Sequence, residues 1–433
     1  MYQLRAISGV LLFVGLVVTL VNAFIPLLPH WLGGASVWLA GLILFFDLAI
    51  KQKKIILTIA SLASISWFIA WQTDRLSNFI EVISINQSMI VMLIGVQFLQ
   101  LVALPDSDES ESLPVGERGF IKSYLGVHLF CSVINLSVVL LVADRWAKKG
   151  KLSRNQLKLL TRGFCSAAHW SPFFAAFAAA MVFTPNATLS LVIPLGLVMA
   201  FAAFLLTWIE VKRDDDGSLE NFVGYPMHFE ALWLIVVLVS VVFVLHLMLP
   251  SIKVLLLIAL SALSVSLLVL LARKGAVAAA LDFEHHLRTK LPNMKSELLL
   301  FLIAGVLGAG VASALDGLSI AVPITHFDGV AALIILFFTL ILALVGVHPV
   351  ISIAVIGHWL ADIQPDQTLL AIMFLMSWAI GASASPVSGV SLALQGRYDV
   401  SGWSISSWNL GYTIKMYGVA CVVLLFTSSI LGL

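Results

Sequence analysis

Two stretches of this chain place hydroxyl, amide and imidazole side chains inside apolar runs, where each needs a hydrogen-bond partner or a ligand. Ser132, Asn135 and Ser137 punctuate SVINLSVVLLVADRW, and Ser166, His169, Ser171 and Pro172 follow in the next apolar run. Gly346, His348 and Pro349 interrupt LVGVHPVISIAVIGHW, followed by Gly381, Ser383, Ser385, Pro386, Ser388 and Gly389. Such groups suit reversible binding. Hydroxyls and an amide donate to an anion, helped by the free N–H groups of a half-helix start, while carbonyls at a half-helix end hold a cation. The expected solute contacts are Ser132, Asn135, Ser137, His169, Ser171, His348, Ser383, Ser385 and Ser388. The expected cation contacts are Asn135, Ser166, Gly346 and Gly381. Covalent catalysis would need a nucleophile with a base, or a carboxylate pair, within reach; the apolar runs hold only scattered Ser and His, so no catalytic residue and no enzyme activity are expected. Cys131, Cys165 and Cys421 lack paired spacing, which argues against disulfides and a metal site.

Each candidate has a competing structural reading. Small residues serve close helix packing, and His169 and His348 are equally readable as satisfied buried histidines. The ligand reading gains weight because the two stretches keep step. Asp144-Arg145-Trp146 falls on Gly357-His358-Trp359, and Ser171-Pro172 on Ser385-Pro386, with one residue of slippage between. That is an internal repeat.

The elements that position these residues are membrane spans. The 433 residues are 61% hydrophobic and 11% charged, with a mean hydropathy of +1.05, too apolar for a soluble domain. The chain reads as an all-α polytopic membrane protein whose partner is the lipid bilayer. A net charge of +1 without a basic patch excludes nucleic acid. Apolar runs predict spans at about 7–28, 32–50, 55–72, 80–104, 162–183, 188–211, 229–249, 252–272, 297–315, 368–393 and 408–432. Between them lie an acidic stretch (Pro105–Glu117), a basic loop (Lys148–Lys158), a polar linker (212–228) and a long polar loop (Arg273–Glu297) in which His285-His286 reads as a surface pair. Basic loops stay in the cytoplasm. They share one side, Lys51 to Lys54 with the Lys148–Arg162 cluster, Arg273 to Lys295 and Arg397, only if 119–146 and 328–361 are re-entrant hairpins. The N-terminus is then cytoplasmic and the C-terminus extracytoplasmic, with the first hairpin opening inward and the second outward.

The division expected is a first repeat over 1–211, with hairpin 119–146 and broken helix 162–183, a cytoplasmic linker over 212–228, and an inverted second repeat over 229–433, with hairpin 328–361 and broken helix 368–393. Inverted repeats with discontinuous helices at the midplane are the plan of secondary transporters. The function expected is secondary active transport of a small anion by alternating access, with sodium or a proton as coupling ion and no other cofactor. The alternative is a cation/proton antiporter or oxyanion exporter on the same fold, for which His169 and His348 are the only buried titrating candidates. A non-transporting partner subunit is a poorer fit, because a scaffold has little use for polar backbone breaks at depth.

This order of spans, hairpin, broken helix and span, repeated with inverted topology, resembles the ion transporter superfamily and most closely its divalent anion/sodium symporter branch, the dicarboxylate and citrate carriers. INLSVVLLVADRW resembles the arm after the first hairpin tip, GVHPVISIAVIGHW the arm after the second, and SWAIGASASPVSGVSLAL the second broken helix. The branch carries Ser-Asn-Thr at each tip; here Asn135 stands near Ser137 in the first and His348-Pro349 in the second. The resemblance implies a carboxylate-like solute, an elevator-like motion, often within a homodimer, and a bacterial cytoplasmic membrane location.

Overall fold

The computed structural model describes residues 2–76, 78–103, 111–214, 219–227 and 232–433. It is 80% helical, with no strand among the described residues and one isolated bridge between Val115 and Val223. Seven helical stretches among the described residues are long and apolar enough to cross a membrane. The chain is an all-α membrane protein.

The helices form two compact units. In chain order, α1 (Tyr2–Phe24), α2 (Trp31–Phe45), α3 (Ile50–Gln72), α4 (Phe79–Ser84), α5 (Gln87–Gln97) and α6 (Gln100–Ala103) open the first. The second takes α7 (Glu117–Ile134), α8 (Leu136–Ala147), α9 (Arg154–Ala167), α10 (Ala175–Phe183) and α11 (Leu189–Lys212). Most of α12 (Leu232–Met248), with α13 (Val254–His285) and α14 (Lys295–Gly317), returns to the first unit. The second unit resumes with α15 (Gly329–Leu344), and α16 (Pro349–Trp359) begins in it but belongs to the first from Ile353. Finally α17 (Gln367–Ala384), α18 (Gly389–Tyr398) and α19 (Gly402–Leu431) complete the second unit. Each unit draws on both halves of the sequence, so the compact units and the halves 1–211 and 229–433 are different divisions. Residues 105–110 of the acidic stretch, and 215–218 and 228 of the linker, lie outside the described residues.

Local chemistry sets the helix starts. Ser153 Oγ accepts the Gln156 N–H at 3.2 Å while Gln156 Oε1 accepts the Ser153 N–H at 2.9 Å, a reciprocal cap that begins α9. Asp366 Oδ1 accepts the N–H groups of Thr368 and Leu369, each at 2.9 Å, to begin α17. The run read as one span over 80–104 is divided into α4, α5 and α6.

The largest departure from the sequence reading is Arg273–Glu297. It is not a loop: α13 continues to His285 with one non-helical residue at Gly275 (φ 75°), then a π turn and a 3-10 turn lead into α14. The Ala-rich run after Gly275 favours helix, and the charges that suggested a loop occupy its exposed side. His286 is therefore buried, 5.0 Å from the Phe98 ring, beside Phe283 and Phe13, and only His285 is exposed. The expectation of a surface histidine pair holds for one member alone.

Within the first unit α3 packs on α14, α1 on α2 and α5 on α13. Gly95 permits the last contact, since a Cβ there would sit 2.8 Å from the Ala259 backbone. The Asn86 amide donates to the Phe301 carbonyl at 2.6 Å and satisfies a buried polar group. The loop after α2 is pinned by Asp47, which receives Lys295 Nζ at 2.7 Å and Arg5 Nε at 3.2 Å. The Lys295 hydrogen bond, with the charges of Lys295, Arg5 and Lys53, outweighs desolvation and holds the Asp47 carboxyl below its ordinary value of 3.8. The unfolded chain thus binds this proton at a higher pH than the folded one. Stability from Asp47 should be complete above about pH 5 and lost as pH falls through the lowered folded value. Asp47→Asn should cost on the order of 1 kcal/mol at neutral pH and flatten the acid limb of a pH series of thermal unfolding in detergent.

Candidate functional site

The first break is a helical hairpin. α7 packs against α8, and a single residue, Asn135, turns the chain between them at φ 57° and ψ −141°. That backbone region is nearly restricted to glycine and costs about 1–3 kcal/mol for another residue. The first N–H groups of α8 have no partner within the helix, so the tip presents donors. Ser132 Oγ donates to the Leu129 carbonyl at 2.6 Å, and the Ser132 carbonyl accepts Ser171 Oγ. Two expected site residues are thus joined directly.

Ser171 belongs to the interruption between α9 and α10. Tight turns carry the chain from Ala167, the Ser171 hydroxyl accepts the Phe173 N–H at 3.2 Å, and Pro172 supplies no donor to continue the helix. His169 is 2% exposed, and its Nδ1 has no hydrogen-bond partner among the described residues. Its carbonyl lies against Gly196 of α11, where any Cβ would collide with it. Ser166, expected to contact a cation, is otherwise engaged. Trp170 Nε1 donates to His128 Nε2 at 3.1 Å, so His128 Nδ1 carries the hydrogen and donates to Ser166 Oγ at 2.8 Å. Ser166 donates to the Gly163 carbonyl at 2.9 Å and accepts Tyr124 Oη at 3.4 Å. The Ser166 hydroxyl is thus engaged by His128 and Tyr124 of α7.

The second pair of breaks is built differently. Gly346 (φ 100°) closes α15, with the Val347 N–H on the Leu342 carbonyl at 2.8 Å and the Gly346 N–H on the Ala343 carbonyl at 3.1 Å. This is a glycine-terminated helix end that consumes orphan carbonyls. His348 Nδ1 accepts the Val350 N–H at 3.2 Å and so caps α16, whose first residue is Pro349. The His348 ring meets the Trp378 edge at 5.2 Å. Gly381 of α17 brings that helix onto this tip, a Cβ there lying 3.0 Å from Ala343 Cβ. Between α17 and α18 the serines close the gap themselves. Ser383 Oγ donates to the Ile380 carbonyl at 2.7 Å, Ser388 Oγ to Ser391 Oγ at 3.0 Å, and Ser391 Oγ to the Ser385 carbonyl at 2.9 Å. Ser385 Oγ accepts a long bond from the Val387 N–H at 3.4 Å.

All nine solute candidates and all four cation candidates lie in the second unit. α17 packs on α9 and α10, and α18 on α8 and α9, so the two interrupted helices cross. A clamp aligns α8 with α18: Asp144 receives Arg397 at 2.6 Å and Tyr398 Oη at 2.6 Å. Asp144 and Arg397 each stand nine residues past their helix N-cap, Asn135 and Ser388. Equal lengths of helix therefore run from the clamp back to the first tip and to the second break. Asn135 and Ser137 are half-buried, with no side-chain hydrogen bond among the described residues. His169 Nδ1, the Nε2–H of His348 and the hydrogen of the Ser385 hydroxyl are likewise uncommitted among the described residues.

A feature that sequence reading missed lies beside α9. Arg162, assigned to the basic cytoplasmic cluster, is fully buried. It pairs with both Glu210 oxygens at 2.9 and 3.1 Å, donates to Asn409 Oδ1 at 2.7 Å and stacks 4.4 Å over Tyr412. Lys158, 2% exposed, reaches Glu210 at 2.8 Å and Asp214 at 3.2 Å. The two histidines are therefore not the only buried titrating groups. The signal was the i,i+4 spacing of Lys158 and Arg162 on a helix with Glu210 at the end of an apolar one, but their pairing is a tertiary fact.

No group of three His, Cys, Asp or Glu side chains able to hold a metal occurs among the described residues. No protein-family model matches the chain, and no curated protein matches it.

Arg162→Met should destabilise the protein by about 3 kcal/mol or more, because Glu210 and Lys158 would lose a buried partner; unfolding of the detergent-solubilised protein measures this. Asn135→Gly should keep or raise stability by up to about 1 kcal/mol, whereas Asn135→Val should lower it, because only glycine relieves the tip backbone.

Proposed function

We propose that this protein is a secondary active transporter of a small, carboxylate-like anion, working by alternating access with sodium or a proton as coupling ion. The observation that carries this reading is the gathering of the Asn135 tip, the His348 tip and both Ser-Pro breaks in one compact unit. Non-helical backbone within an apolar protein is tolerated where it is buried or lines a wet cavity, and transporters use it there to bind solute and ion. On this reading α7–α8 and α15–α16 are re-entrant hairpins, the two halves are inverted repeats, and the second unit is the part that moves. The N–H groups at the start of α8, with Asn135 and Ser137, receive the anion. The serines of the second break shape the site by holding its backbone. The membrane is a bacterial cytoplasmic one, with the N-terminus inside.

Proton coupling has one observation in its favour, the unpartnered Nδ1 of buried His169. The test is uptake of labelled mono-, di- and tricarboxylates into proteoliposomes under imposed sodium or proton gradients. Gradient-driven accumulation of one class, reduced about tenfold or more in Asn135→Leu by loss of a charge-assisted contact, is the expected result. Accumulation that follows pH and disappears in His169→Phe would select the proton. Absence of accumulation for every anion under either gradient would overturn the reading.

A further inference from the structure

At the end of α8 and α18 remote from the breaks, the second unit contains a cavity of about 600 Å³ lined by Leu141, Asp144, Arg145, Ala147, Lys148, Tyr225, Arg397 and Tyr398. Asp144 is nine residues from Asn135, so at about 1.5 Å per helical residue the cavity lies roughly 14 Å from the first tip. It is separate from the candidate site. Basic residues in a last helical turn complement the helix dipole, which accounts for Arg145 and Arg397 singly but not for their convergence on one cavity.

The walls are held in place. Trp146 Nε1 donates to the Gly224 carbonyl at 3.0 Å, and the Tyr225 N–H to Ser123 Oγ at 2.6 Å, fixing the segment that carries Tyr225. Arg145 donates to the Glu111 carbonyl at 2.9 Å, a contact that orients the guanidinium. The lining carries three cationic side chains and one carboxylate. That carboxylate, Asp144, is held by Arg397 and Tyr398.

We propose that this cavity binds a small multivalent anion through Arg145 and Arg397, and that the anion competes with Asp144 for Arg397. Guanidinium groups bind carboxylate and phosphate oxygens in pairs, and two of them facing one cavity suit a molecule with two or more anionic groups. Because Asp144 ties α8 to α18, an anion that takes Arg397 loosens the two helices whose starts carry the breaks. The site is thus an anion-operated latch. Its binding half stands apart from the transport reading; its effect on the breaks rests on it.

The test is calorimetric titration of the full-length protein in detergent with citrate and with inorganic phosphate. The wild type is compared with Arg145→Gln, Arg397→Gln, Asp144→Asn and Asn135→Leu. Saturable binding, weakened about tenfold or more in Arg145→Gln or Arg397→Gln and strengthened in Asp144→Asn, is expected. Arg145→Gln leaves the Asp144 clamp intact and so reports even if the clamp variants fail to fold. Loss of binding in Asn135→Leu with retention in Arg145→Gln would overturn the proposal and place the anion at the breaks. No binding of either anion by wild type would overturn it as well. A repeat in nanodiscs separates the sources: competition for citrate by the two-phosphate lipid cardiolipin, absent with phosphatidylcholine alone, identifies a lipid headgroup as occupant, and its absence identifies a free anion. Failure of proteoliposome transport with this binding intact would sink the transport reading alone.

Discussion

Backbone polar groups in an apolar protein must be bonded, and the second unit depends on how it meets this demand at four places where its helices stop. Each stop frees carbonyls on one side and N–H groups on the other, and unsatisfied they would cost several kcal/mol apiece. The chain answers with side chains of its own. Ser171 bridges the first interruption to the Ser132 carbonyl, Ser383 and Ser391 close the second, Gly346 folds the end of α15 onto itself, and His348 caps α16. Most of the polar residues that look like ligand contacts in the sequence are therefore engaged in keeping the breaks open.

On the proposed transport reading, that engagement narrows where a solute can be held. A hydroxyl that already donates to a carbonyl can still accept, but it offers no hydrogen to an anion. The half-buried Asn135 and Ser137, the leading N–H groups of α8, the lone Nδ1 of His169, the Nε2–H of His348 and the Ser385 hydroxyl keep that capacity. Asn135 also holds a backbone conformation that glycine adopts more cheaply. Such a residue keeps its place through its side chain or its neighbours, which fits the proposed role of its amide.

Charge is handled by the same rule. Arg162 and Lys158 are buried because Glu210 and Asp214 come with them, and Asn409 and Tyr412 take up the remaining face of the guanidinium. The network ties α9, the first half of one interrupted helix, to α11 and α19. At the far end of α8 and α18 the Asp144 clamp does similar work, but beside an open cavity with cationic walls. One cluster is closed and structural; the other is open to exchange.

The sequence by itself determined the class and the places of interruption. A Ser-Pro within an apolar run favours a helix stop, because proline lacks the donor and clashes with the preceding turn; α17 ends at Ala384, just before Ser385, and α9 at Ala167, within a turn of Ser171. Gly346 and Pro349 likewise mark a helix end and a helix start through local backbone preference. Tertiary structure decided everything that required a partner far along the chain. It gave Ser166 to His128, placed His286 against Phe98, matched Arg162 with Glu210 and drew each compact unit from both halves. Periodicity and composition report what a residue prefers, whereas a buried polar group is settled by whichever complementary atom the packing brings within about 3 Å.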